Sequence, residues 1–210
     1  ASVYATKMVP NNQPGADERF HKLADAVKFV YASTFFKCAR DYMKVASHTV
    51  EDEKMAVIIQ EIVGTRFGER FYPHVSGVMR SFNFYPFGRA QPEEGIVELA
   101  LGLGRSIVDD GISWAFSPAY PATAPPFKST GDLLKHSQTR FWAVNMGRLH
   151  RYDPLGENEY LEDYSLGDAE YDGSIDLIAS TYNGQDDRLE SGTRTRGPRV
   201  INFAPILQDR

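Results

Sequence analysis

The sequence predicts an α+β domain, and three observations carry that prediction. Phe20, Leu23, Ala24, Val27, Val30, Tyr31, Thr34 and Cys38 recur at three- and four-residue steps, the stripe of an amphipathic helix. The run Met55–Val63, MAVIIQEIV, is β-branched and nearly continuous, as suits a strand covered on both faces. Further helices and strands then follow without steady βαβ alternation. The 210 residues suit one ordinary domain that can bury a real core.

In chain order, Val3–Val9 is a short extended lead, closed by Pro10 and the turn cluster Asn11-Asn12-Gln13-Pro14-Gly15. Asp17 and Glu18 stand where a helix N-terminus favours acidic groups, and the helix is expected to run to about Met43. After the polar stretch Ser47–Lys54 comes the strand Met55–Val63, ended by Gly64. A loop with Gly68 leads to a second strand over Val75–Tyr85, and Gly95–Leu101 reads as a third. Gly102-Leu103-Gly104 follows, with Arg105–Asp109 as one or two helical turns. Pro118, Pro121, Pro125 and Pro126 make Ser117–Phe127 a stiff loop. Thr130–Ser137 reads as a short helix and Phe141–Met146 as a strand. Beyond the acidic, aromatic stretch Tyr152–Gly173, strands are expected over Ile175–Thr181 and Arg199–Leu207, separated by the polar stretch Asn183–Gly197. The domain core is drawn at residues 1–146, with 147–210 as an extension of the same domain.

Composition excludes several function classes. Twenty-three Lys and Arg against 28 Asp and Glu leave a net charge of −5, which argues against a nucleic-acid binder held by bulk charge. A small basic pocket for one nucleotide remains open. The single cysteine, Cys38, excludes an internal disulfide and a cysteine-rich zinc module, and suits a reducing cytoplasm. The apolar runs are too short to span a bilayer, so no membrane partner is expected. The first residues carry no secretory signal pattern and no initiator Met, which points to a processed chain or a piece of a longer one.

Candidate chemistry sits where polar residues interrupt or close apolar strands. Gln60 and Glu61 break an otherwise apolar run; a solvated strand end is the simpler reading, and a strand meeting a purine edge the functional one. Gly102-Leu103-Gly104-Arg105 closes a strand and opens a short helix, where glycines admit a phosphate and free N–H groups can receive it. The third glycine of Gly-x-Gly-x-x-Gly is missing, so a tight turn needing positive φ is the simpler reading. Gln138-Thr139-Arg140 before Phe141-Trp142 reads as a helix end with a solvated Arg. His21, His48, His74, His136 and His150 show no metal-ligand spacing, and the acidic pairs Asp109-Asp110 and Asp186-Asp187 point apart on regular structure. The aromatics crowded between Phe67 and Phe87 suggest a hairpin packed on a core.

Three ordered blocks resemble one family. MAVIIQEIVG, SGVMRSFNFYP and EEGIVELALGLGRSIVDDG are similar to the nucleotide-binding domain of phosphoenolpyruvate synthase and pyruvate phosphate dikinase. The helix from Asp17 and the lead Val3-Tyr4-Ala5-Thr6 fit the same upstream order, so the resemblance covers roughly the first 145 residues. It implies part of an ATP-grasp-type domain, with a mixed or antiparallel sheet and flanking helices. The adenine contact then maps onto Gln60, Glu61, Ile62 and Val63. Ser81 and Asn83 match a polar pair facing the phosphates, and Gly102, Gly104 and Arg105 form a third group. The family usually carries an acid or another residue where Arg105 stands, so the Arg is a departure or a subfamily trait, and Arg80 replaces a typically apolar residue.

Other family features have no match. The phosphate-gripping lysine and an arginine belong upstream. The Asp-x-Glu preceding Gln-x-Arg is not found: Asp176-Leu177-Ile178 is apolar where the Glu belongs, and Gln138-Thr139-Arg140 falls too early. The resemblance therefore implies a piece of an ATP-dependent phosphotransferase that makes phosphoenolpyruvate from pyruvate through a phosphohistidine. ATP and Mg²⁺ are its cofactors, with catalytic and metal residues outside this chain. Its partners are the phosphohistidine and pyruvate-binding domains of the parent, and it leaves room for a homo-oligomer. Two alternatives stay open: a non-catalytic, degenerate ATP-grasp module for binding or assembly, and the ATP domain of a dikinase with another acceptor, such as a glucan or an antibiotic.

Overall fold

The computed structural model describes residues 3–46, 53–109, 111–147 and 153–208. His48, Asp110 and His150, weighed above as chemistry, lie outside the described residues. The fold is α+β, and every strand pairing whose register follows is antiparallel. The chain divides into two compact units, Ala1–Phe71 with Val144–Glu162, and Tyr72–Ala143 with Asp163–Arg210.

The first unit opens with the extended lead and two helices, α1 (Ala16–Ala32) and α2 (Lys37–Val45). The sequence predicts one helix here; the structure breaks it with a 3-10 turn over Ser33–Phe35. The break has a local cause. Ser33 Oγ donates to the Val30 carbonyl at 2.6 Å and Thr34 Oγ1 to that of Tyr31 at 2.8 Å, so both hydroxyls compete for helical acceptors. Ser33 Oγ also accepts the Ala5 amide at 3.1 Å, which ties the lead to the break. The helical period is as predicted but its phase is rotated: Ala26, Phe29, Ala39 and Met43 are buried, whereas Phe20 is 67% exposed and Cys38 is exposed.

A buried ion pair fastens the lead. Lys7 Nζ lies 3.0 Å from Glu159 Oε2, with side-chain exposures of 3% and 2%. The ammonium also donates to the carbonyls of Pro154 at 3.0 Å and Gly156 at 2.9 Å, and sits 5.0 Å from the centre of the Phe29 ring. Glu159 Oε1 accepts the Asp153 amide at 2.6 Å. The loop 153–159 thus folds around one cation.

The predicted strand Met55–Val63 does not form. The segment holds no regular element and enters no ladder, and Ile58, Ile59 and Val63 are exposed. β-branched composition favours a pleated, half-covered surface only where a neighbouring strand supplies it. Among the described residues no strand does so here. The hairpin that follows, β1 (Thr65–Phe67) and β2 (Arg70–Tyr72), turns on Gly68 at φ +59°, where the sequence suggests only a loop. With β6 (Arg140–Asn145) and β7 (Leu161–Ser165) these strands run in the order β1-β2-β6-β7, Phe71 facing Val144.

The second unit holds two three-stranded sheets. β3 (Ser76–Arg80), β4 (Ile96–Ala100) and β5 (Trp114–Phe116) form one, with Ser76 opposite Ala100 and Arg80 opposite Ile96. β3 stops five residues before the predicted end. Past it the Asn83 amide donates to the Pro92 carbonyl at 2.8 Å and Asn83 Oδ1 accepts the Tyr85 amide at 3.0 Å, turning the chain away from the sheet. The helices α3 (Arg105–Val108) and α4 (Thr130–Lys135) fall where predicted. In the acidic stretch a capping box between Ser165 and Asp168 starts α5 (Leu166–Tyr171).

The other sheet, in the order β10-β8-β9, comprises β8 (Ala179–Asn183), β9 (Arg188–Ser191) and β10 (Arg199–Ile201). The predicted strand to Leu207 ends at Ile201, because Phe203 adopts φ +54° and opens α6 (Ala204–Leu207). The unit's core includes Tyr72, Leu101, Phe141, Ile175, Val200 and Phe203, each essentially inaccessible. Tyr72 stacks at 4.5 Å on Phe141 and donates its hydroxyl to Asp172 Oδ2 at 2.7 Å, so a full-sized phenol is buried without an orphaned oxygen.

The Lys7–Glu159 pair yields a prediction for the first unit. Lys7→Met leaves a buried carboxylate uncompensated and lowers stability by about 3 kcal/mol, read from the urea midpoint. Adding Glu159→Gln in that background recovers most of the loss, because the amide keeps the Asp153 contact without the charge.

Candidate functional site

The turn after β4 is built from backbone constraints. Gly102 has φ +80°, and a Cβ there would come within 2.7 Å of the Trp142 carbonyl and 2.9 Å of the Phe141 ring, so only glycine fits. Its amide donates to the Pro73 carbonyl at 3.2 Å, and its carbonyl accepts Ser76 Oγ at 2.6 Å. The Leu103 amide donates to the Trp142 carbonyl at 2.9 Å. The first two amides of Gly-Leu-Gly therefore face the protein. The tight-turn reading of this motif is the one the geometry supports, and a phosphate cradle of free amides is not formed by Gly102 and Leu103.

The residues entering β6 complete the place. Gln138 is 4% exposed, and its Oε1 accepts the Leu101 amide at 2.8 Å. Its Nε2 donates to the carbonyls of Leu101 and Arg140, both at 2.9 Å. The side chain thus mimics a peptide group and joins the end of β4 to the start of β6. The expectation of a solvated helix end is corrected here: α4 has already stopped at Lys135, and Gln138 is part of the core. Arg140 is half exposed but paired, its Nε with Asp163 Oδ2 and its terminal nitrogen with the Asp163 carbonyl at 2.8 Å.

Between these elements the second unit holds a cavity of about 200 Å³. Arg105, Ser106, Asp109, Gly111 and Ile112 line one wall; Gln138, Thr139, Arg140, Trp142 and Asp163 line the other. Arg105 Nε pairs with Asp109 Oδ2 at 3.0 Å, and the guanidinium lies 4.5 Å from the centre of the Trp142 ring. A Cβ on Gly111 would approach the Ser106 carbonyl to 2.3 Å, so this glycine lets the loop close against α3.

Of Gly102, Gly104 and Arg105, Arg105 lines this cavity, whereas Gly102 packs against Phe141 and the Trp142 carbonyl. Ser81 and Asn83 lie beyond Arg80, at the other end of a hairpin roughly 13 Å long, with Asn83 buried in its own turn. Gln60, Glu61, Ile62 and Val63 belong to the first unit, where Gln60, Glu61 and Val63 are exposed. Sequence reasoning missed Asp109, Thr139, Trp142 and Asp163 as cavity residues. Gln138-Thr139-Arg140 was the available signal, since a Gln before an apolar strand needs partners wherever it is buried.

Gln138 carries the prediction for this place. Gln138→Leu strands the buried amide and carbonyl of Leu101 and costs about 2–4 kcal/mol in chemical denaturation. Gly102→Ala is expected to cost at least about 2 kcal/mol, since the side chain meets backbone as well as a strained φ.

The family model for the pyruvate phosphate dikinase AMP/ATP-binding domain matches residues 4–128. No curated protein and no solved structure matches the chain. The matched stretch includes one wall of the cavity, from Arg105 to Ile112, and ends before the other. With more than half of its length matched, the chain belongs to the pyruvate phosphate dikinase AMP/ATP-binding domain family.

Proposed function

We propose that this chain binds ATP through the second unit's cavity and serves as nucleotide-binding part of a phosphotransferase. On this reading the parent moves phosphate from ATP to a histidine and then to pyruvate, forming phosphoenolpyruvate. The observation that carries the reading is the match to an AMP/ATP-binding domain, one of whose matched segments forms a cavity wall. Phosphoryl transfer rests on positioning and charge stabilisation, and the acceptor is set by other parts of such an enzyme.

Mg²⁺ is the ion that accompanies ATP in such chemistry. Among the described residues no group of three or more His, Cys, Asp and Glu converges as a metal site. On this reading the ion's ligands belong to other parts of the parent enzyme. The cavity's contribution is to bind and orient. Gln138 fixes its walls, while Arg105 and Arg140 are each held by a carboxylate. The adenine contact implied for Gln60, Glu61, Ile62 and Val63 is a separate proposal for the first unit, which Gln60→Ala tests by its effect on ATP affinity.

Isothermal titration of the chain with Mg·ATP tests the reading. The expected result is a Kd of about 0.1–1 mM, equivalent to roughly −4 to −5.5 kcal/mol, without ADP release. No saturable heat with ATP would remove the ATP reading. Micromolar binding with turnover would show instead that this chain carries a complete catalytic site.

A further inference from the structure

We propose that the loop joining β9 to β10, residues 192–198, is a binding site for a phosphate dianion, made by Arg194 and Arg196. It lies outside the matched residues 4–128, and the proposal does not rest on the ATP reading. Three observations support it.

The first is that the fold braces this loop along its length. The Gly192 amide donates to the Ala179 carbonyl at 3.0 Å, and the Gly192 carbonyl accepts Thr181 Oγ1 at 2.8 Å. At the far end the Tyr182 amide donates to the Pro198 carbonyl at 2.9 Å, and a Cβ on Gly197 would come within 2.2 Å of the Tyr182 carbonyl. In the middle, Arg199 Nη1 donates to the Thr195 carbonyl at 2.7 Å. Thr193 Oγ1 donates to Asp176 Oδ1 at 2.7 Å, and the Thr195 hydroxyl bonds Glu190. A segment held in this way has little freedom left to lose when it binds.

The second is what the bracing leaves over. Threonines tied to the fold alternate with arginines that are not. Arg194 and Arg196 are exposed, and their side chains make no ion pair or hydrogen bond among the described residues. Arg80, Arg105, Arg140, Arg188 and Arg199 each meet a carboxylate. The carboxylates nearest the loop are engaged from within: Asp176 by Thr193, Glu190 by Asn183 and Arg188, and Glu170 by Arg199. Residues 192–199, GTRTRGPR, carry three arginines and no acid, although Asp and Glu outnumber Lys and Arg by 28 to 23 in the chain.

The third is the match of charge and shape. A guanidinium is a planar fork of donors, and one fork satisfies one carboxylate. A phosphate dianion offers more oxygens and two charges, which two forks complement. Residues two apart lie at most about 7 Å from each other at Cα, so both side chains can close on one anion. The chemistry is shared by free inorganic phosphate and by a phosphoryl group on a protein side chain.

The complete chain is titrated with inorganic phosphate and with a peptide carrying one phosphoserine, at about pH 7.5, where a phosphate monoester carries close to two charges. The readout is the ¹H–¹⁵N NMR spectrum of the backbone and of the arginine Nε–H groups, at constant ionic strength and with chloride as control. Saturable shifts are expected at residues 193–197 and at Nε–H of Arg194 and Arg196, with a Kd of about 1–10 mM for phosphate. The tighter of the two probes identifies the source. Both arginines are exposed and unpaired, so replacing them leaves the fold intact. Arg194→Ala with Arg196→Ala is expected to abolish saturation. Arg194→Lys with Arg196→Lys keeps the charge without the forks and is expected to weaken binding at least about fivefold. Thr195→Val keeps both arginines, removes the bond to Glu190 and is expected to weaken binding about threefold.

A double-lysine variant that binds as tightly as the native chain would reduce the loop to bulk charge and overturn the proposal. Equal shifts with chloride, or saturation by neither probe at residues 193–197, would also overturn it. ATP binding elsewhere in the chain, with this loop silent to both probes, would remove this proposal and leave the ATP reading standing.

Discussion

The second unit depends on one side chain behaving as backbone. Strand β4 ends at Ala100, and the next residue, Leu101, is buried with an amide and a carbonyl outside the sheet. Two such groups without partners would cost several kcal/mol. The Gln138 carboxamide satisfies both, and spends its remaining proton on the Arg140 carbonyl. A peptide-like bridge therefore joins the β3-β4-β5 sheet to the strand that carries Trp142. The Leu103–Trp142 hydrogen bond continues the same connection two residues further. The cavity walls are held at this spacing by bonds that no ligand has to make.

That arrangement explains why the amides of Gly102 and Leu103 point into the protein. The same residue types can cradle a phosphate or turn a chain tightly, and the choice is made by where the amides point. Gly102 is required by its positive φ and by the approach of the Trp142 carbonyl. Its amide is consumed by the fold. Arg105 then stands as an arginine over an indole, balanced by Asp109.

Much of the second unit was legible in the sequence, because its local signals and tertiary partners agree. Gly95 and Gly102 bracket β4, the prolines of residues 117–127 exclude regular structure, and Thr130–Lys135 is a helix capped by Ser129. β9 was hidden in a polar stretch, since its pairing with β8 and not its composition makes it a strand. The first unit was less legible. Its helical period was plain, yet Ser33 and Thr34 break the helix and the buried face is Ala26 and Phe29 rather than Phe20 and Leu23. The apolar run Met55–Val63 reads as a central strand but enters no sheet among the described residues, so composition alone could not place it. At the cavity, Arg105 was accessible to sequence reasoning through the family blocks. Trp142 and Asp163 were not, because only the fold brings them alongside α3.

The central spatial claim is that an adenine nucleotide contacts the second unit's cavity. A crystal structure of the chain with bound AMP tests it most directly. The nucleotide is expected in contact with the cavity wall that runs from Arg105 to Ile112. AMP bound with no contact to any residue of this cavity would contradict it.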